Sequence, residues 1–134
     1  MDNKNTSKLV KRYPKLYKQF KLNMSETAMC WGFQCGDGWY KLIDKLSKEI
    51  TKIDSNIEAT CVKEKFGTLR FYFEGAKDDK TCDEIHNIIH NYDVISSKTC
   101  EECGKPGKLR KLEWWIQTLC NSCYKIAVYK TKKV

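Results

Sequence analysis

The chain reads as an α+β protein, with helices packed on a small antiparallel β-hairpin or sheet and a cysteine-rich C-terminal module. Three observations carry this. Trp39, Leu42, Ile43, Leu46, Ile50 and Ile53 recur at spacings of three and four, the period of one helix face. Leu69, Phe71 and Phe73 alternate strictly with Arg70, Tyr72 and Glu74, the period of a half-buried strand. Two Cys-x-x-Cys pairs stand together near the end, at Cys100, Cys103, Cys120 and Cys123. The pattern divides the chain into residues 1–97, an α+β domain, and 98–134, a metal-type module.

In residues 8–20, Leu9, Val10, Tyr13, Leu16, Tyr17 and Phe20 share one helical face. Lys8, Lys11, Arg12, Lys15 and Lys18 form a basic stripe opposite. Pro14 cannot sit inside that helix, so the helix is expected to start near Tyr13 or to break there, which would split the stripe. Residues 30–38 are rich in glycine and aromatic groups and are read as a tight loop. Asp37 is placed to cap the helix that follows. Residues 57–64 and 68–74 are read as a hairpin turning at Gly67. Residues 81–95 return to a helical period, with Ile85, Ile88, Ile89, Tyr92 and Ile95 inward. Within the module the expected order is a knuckle, a hairpin over 108–118, the second cysteine pair and a short helix with Ile126 and Ala127 inward. The basic tail 129–134 is expected to fray.

The formal charge is +8, from 25 Lys and Arg against 17 Asp and Glu. Basic groups concentrate at the two ends, which suits a polyanion or an acidic protein surface as readily as a solvated lysine surface. No apolar signal core follows Met1 and no run approaches a membrane span, so a cytoplasmic location without membrane contact is expected, inside a host cell if the protein is phage-encoded. There the 8 cysteines stay reduced, and paired cysteines hold metal more often than they form disulfides.

The module's spacing, Cys100-x2-Cys103, sixteen residues, Cys120-x2-Cys123, matches a tetrathiolate zinc signature. Two intervening residues let a tight turn present both sulfurs to one ion. Pro106-Gly107 then reverses the chain, and the second pair lies where a helix begins. This order predicts a treble-clef-like module around one structural zinc ion, with iron the alternative metal for four thiolates. Four thiolates fill every tetrahedral position and leave none for water or substrate. They also lower the formal charge of the loaded protein to about +6, since four thiolates around one zinc carry a net −2.

Other constellations are weaker. Cys82, His86 and His90 stand four apart on one predicted helix and can be weighed as a second metal site, though a polar helix face explains them better. Cys30, Cys35 and Cys61 read as core thiols. Trp114 and Trp115, with Lys108, Arg110 and Lys111, mix aromatic and basic groups as a base-stacking platform does. The favoured reading is that one tryptophan fills the small zinc core and the other covers the joint to the first domain. No phosphate loop, nucleophile elbow or deaminase pattern is present, so no catalytic residue is assigned. A hydrolase or nuclease drawing on Glu64, Arg70 or His86 is the lesser alternative.

Three blocks resemble a family of small phage and prophage proteins: 29–39 (Met-Cys-Trp-Gly-Phe-Gln-Cys-Gly-Asp-Gly-Trp), 63–72 (Lys-Glu-Lys-Phe-Gly-Thr-Leu-Arg-Phe-Tyr), and 99–107 with 118–120. Gln34 departs from that pattern, where Glu is expected. The resemblance implies a phage-related origin and no reaction. Two functions follow as expectations. The first is a non-enzymatic zinc-binding effector that binds a host protein or nucleoprotein, such as one of a defence system. The second is an accessory protein that binds RNA or DNA through the N-terminal basic face and the module's Lys108, Arg110, Lys111, Trp114 and Trp115.

Overall fold

The computed structural model describes residues 1–132; residues 133 and 134 of the predicted tail lie outside the described residues. Helix α1 (Asn3–Arg12) opens with Asp2, whose carboxylate accepts from the Asn5 amide at 2.7 Å. It closes at Tyr13 because a residue ahead of proline is driven out of the helical region. The helix therefore precedes Pro14 instead of starting near Tyr13. The chain continues as turns and a short 3-10 segment, Lys18–Lys21. The apolar face survives the break, with Leu9, Leu16 and Tyr17 all buried. The basic stripe does not survive it. Lys8, Lys11 and Arg12 ride on α1, Lys15 sits in the turn, and Lys18 belongs to the 3-10 segment.

Strand β1 (Phe33–Gln34), helix α2 (Tyr40–Ile53) and strand β2 (Glu58–Lys65) form a parallel crossover, with Phe33 opposite Val62. Strand β3 (Thr68–Glu74) then pairs antiparallel with β2, giving the order β1-β2-β3. The parallel strand was not anticipated. It lies within the glycine-aromatic segment, and at two residues it is too short to show a period. Asp37 does not cap α2, which starts behind a 3-10 turn, Asp37–Trp39, with no side-chain cap. Its Oδ1 accepts instead from the Asp2 amide at 2.9 Å and from Asn5 Nδ2 at 3.1 Å, pinning the start of α1.

Helix α3 (Asp79–Ser96), capped by Asp78, packs on α2 and β3. Ile85 and Tyr92 are buried and Ile88 and Ile89 half-buried, but Ile95 faces solvent, because at that turn Ser96 is the residue set against β3, its Oγ accepting from the Leu69 amide at 2.9 Å. The main core joins α1, α2, α3 and the sheet around Trp39, Tyr17, Leu46 and Ile50. Tyr17 stacks edge-on against Phe33 at 4.8 Å, and its hydroxyl meets Ser47 Oγ at 2.5 Å. A second, smaller cluster holds Cys100, Leu112, Leu119 and Cys120, flanked by Cys123, Tyr124, Ala127 and Val128.

Leu46, fully buried, is expected to cost about 2–5 kcal/mol when cut to alanine, read by urea unfolding of the metal-loaded protein. Asp37 offers a pH test. The Asp2 amide holds its carboxyl below the ordinary 3.8, so its contribution is complete above that value and is lost as pH falls toward the lower native one. Asp37→Asn, compared with wild type by urea unfolding between pH 6 and 3, should show a stability deficit that shrinks with acid.

Candidate metal centre

The first ligand pair sits on a knuckle closed by Cys100 N–H to Lys105 O (2.7 Å) and Gly104 N–H to Cys100 O (2.9 Å). Strands β4 (Lys108–Lys111) and β5 (Ile116–Leu119) follow as an antiparallel hairpin, Lys108 opposite Leu119 and Lys111 opposite Ile116. Leu119 delivers the chain to Cys120, directly ahead of helix α4 (Asn121–Lys132), and Cys123 lies in its first turn. Arg110 holds hairpin and helix together. It donates to Leu119 O at 3.2 Å and Asn121 Oδ1 at 2.7 Å, and its guanidinium lies 4.6 Å from the Tyr124 ring centre.

The four sulfurs all lie within 4.8 Å of one another, and Cys103 and Cys120 Sγ stand 3.6 Å apart. A tetrahedron with Zn–S near 2.3 Å has an edge of about 3.8 Å, so the donor set fits one zinc ion. The separation is far beyond a disulfide bond, and all eight cysteines are free. The Cys123 amide donates to Cys120 Sγ at 3.4 Å and is the main reason that thiol is pulled down, while burial pushes the Cys123 thiol up. Cys100 and Cys120 are buried, Cys123 half-buried and Cys103 exposed. This is a single four-thiolate zinc site in a knuckle–hairpin–helix frame.

The knuckle is fastened to the rest of the molecule through Glu101, the residue after the first ligand. Its backbone oxygen accepts from Gly38 N–H at 2.8 Å, and its Oε2 accepts from Gly36 N–H at 2.9 Å. Its own amide donates to Thr118 O at 2.9 Å. A Cβ at Gly36 or Gly38 would lie well under 3.0 Å from the Cys100 or Glu101 backbone, so only glycine permits the approach. Trp39 Nε1 donates to Thr99 O at 2.9 Å beside it. A second junction joins the β2–β3 turn to the module, where Thr118 Oγ1 donates to Gly67 O at 2.7 Å. The three sequence blocks thus meet around one ligand-bearing turn. Glu101, Gly36, Gly38, Trp39, Gly67 and Thr118 were not assigned as site residues. The Gly-Asp-Gly spacing was the visible signal for Gly36 and Gly38, and Gly67 was visible as a turn residue; Glu101 carried none.

The other predicted site residues are scattered. Arg12 pairs with Asp44 (2.8 Å) and Lys18 with Glu58 (3.1 Å), while Lys8 lies over the Tyr40 ring. Lys11 and Lys15 are exposed on the N-terminal segment, and Lys108 and Lys111 on β4. Trp114 and Trp115 are both exposed, the former 80%, which overturns the expected packing of one in the zinc core and the other at the joint. Leu112, Leu119 and the half-buried face of α4 fill that core. Ile126 also faces solvent, contrary to expectation, whereas Ala127 packs inward. Residues 129–132 of the expected tail are helical, as part of α4. Among the described residues only the four cysteines form a metal-ligating group; Cys82, His86 and His90 do not, and His86 rests on the Phe73 ring at 4.9 Å. Glu64 and Arg70 hold structure: Glu64 Oε2 accepts from Gly67 N–H at 2.7 Å, and Arg70 lies 3.6 Å from Asp93. No helix is long and apolar enough to cross a membrane.

No protein-family model, curated protein or solved structure matches the chain.

Elemental analysis should find one zinc per chain, and Cys120→Ser should lower that ratio and loosen the module, seen as faster amide exchange over β4 and β5. Gly38→Ala should destabilise the loaded protein by about 1–3 kcal/mol or more in urea unfolding, because the knuckle backbone has nowhere to move.

Proposed function

We propose that this chain is a small, non-enzymatic, zinc-stabilised binding protein of the phage-effector type, which acts by seating on a host protein or nucleoprotein. The observation that carries the reading is a closed site with an open surface beside it. All four ligand positions are thiolates, so the metal organises structure, while the hairpin it organises exposes Leu109, Trp114, Trp115 and Ile116. The resemblance in three sequence blocks supports a phage-type origin, and a host defence component is the partner class such a protein would block. Glu64 is engaged by the Gly67 amide in the β2–β3 turn, which supports a role in structure for that carboxylate. Affinity capture with the tagged, zinc-loaded protein from bacterial lysate should recover one stoichiometric partner. Recovery of none would count heavily against the reading.

A second reading, an accessory protein on RNA or DNA, is favoured by Lys108 and Lys111, which are exposed on β4 of the hairpin whose loop holds exposed Trp114. It requires a gel shift at low salt that fades steeply as salt rises, because phosphate contacts release counterions. Lys108→Glu with Lys111→Glu should abolish that shift.

A further inference from the structure

The β2–β3 turn carries a residue that local physics disfavours twice. Phe66 and Gly67 form a two-residue loop between paired Lys65 and Thr68, with φ of 54° and 86°. Positive φ at both positions is a type I′ turn, for which Asn-Gly is the preferred sequence. A bulky aromatic residue is strained there, and strain of this kind is retained where a site needs it. Phe66 gains no burial in return, since it is 66% exposed.

Its neighbours complete a surface. Gly67 packs so closely on Leu109 and Ile116 that a Cβ would collide with Leu109 Cδ2, and the Thr118 bond locks the turn against the zinc hairpin. Leu109 and Ile116 remain 50% and 38% exposed. Leu109, Lys111, Ile116 and Thr118 share one face of the hairpin by register. Lys65, over the Phe66 ring at 5.6 Å, and Lys111 supply the charge.

We propose that Phe66, Leu109 and Ile116, with Lys65 and Lys111, form one composite docking surface for a protein segment that presents an apolar side chain among acidic residues. This rests on the binding-protein reading above and names the surface and the partner chemistry. The lysines select an acidic partner by charge complementarity. They also disfavour a second copy of this chain, because a two-fold interface would set lysines against lysines. Two of the three apolar groups are aliphatic and offer no ring for a base to stack on, so a peptide suits the surface better than nucleic acid. Leu109, Lys111 and Ile116, three of its five residues, lie on the zinc hairpin, so it exists as one surface only in the metal-loaded protein.

The test is selection from a random-peptide display library on immobilised, zinc-loaded protein. Enrichment of sequences with an apolar residue flanked by Asp or Glu is expected, with binding weakened at least 10-fold by Leu109→Lys and by zinc chelation. Phe66→Asn separates function from folding. It places the preferred residue in the turn, so it should melt no lower than wild type while losing peptide binding at least 10-fold. Enrichment of sequences without acid, equal binding to the Phe66→Asn variant, no enrichment, or a lower melting temperature for that variant would each overturn the proposal. So would dimerisation through this face in light scattering, or an RNA gel shift that Phe66→Asn abolishes. If lysate capture recovers a partner that Phe66→Asn still holds, the surface is wrong and the binding reading stands; if neither capture nor selection yields anything, both fall.

Discussion

Glu101 is where metal geometry and fold become one constraint. It sits between the first two zinc ligands, buried, with its carboxylate and backbone oxygen accepting from the Gly36 and Gly38 amides and its amide donating to Thr118. Burial pushes its carboxyl above the ordinary range, and the Gly36 amide works against that shift by favouring the charged form. The turn that sets the Cys100 and Cys103 sulfurs is therefore the turn that docks on the first part of the chain. Anything that displaces Glu101 moves ligands, and loss of the metal frees the segment that holds Gly36 and Gly38 in place.

That coupling explains how so small a module is held. Its apolar cluster is built on Cys100, Leu112, Leu119 and Cys120, with both tryptophans left outside. A segment of this size cannot fold on such a core alone. Three other terms replace the missing burial: four thiolates on one ion, Arg110 clamping hairpin to helix, and the paired junctions at Glu101 and Thr118. Leu112 and Leu119 are the large side chains of the hairpin that fill this core, and Leu109, Trp114, Trp115 and Ile116 stay on the surface.

The same economy appears in the first hundred residues. The core is conventional, with α2 and α3 covering one side of a three-stranded sheet. The departures from local preference cluster where it meets the module: a glycine pair in backbone contact with the knuckle, and a phenylalanine in a left-handed turn. Both departures lie at junctions with the module, where residues of the three motif blocks meet.

Sequence alone determined the zinc ligands, because ligand chemistry is read by residue type and spacing and needs no tertiary information. It also determined α2, the β2–β3 hairpin and α3, whose apolar periods are long enough to be unambiguous. Leu9, Leu16 and Tyr17 were legible as core even though α1 ends at Arg12 and carries only Leu9, since burial follows apolar character across the end of a helix. Only the tertiary structure decided what lies beside what. The two-residue β1 has no period and forms because α2 carries the chain back parallel to it. Asp37 was placed as a cap by local rules, but α1 brings two closer donors to it. Trp114 and Trp115 looked like core by their size, yet they stand in the loop between β4 and β5, where Leu112 takes the buried position. Glu101 gave no local sign at all, because its role consists of bonds to residues 36 and 38, about sixty positions earlier in the chain.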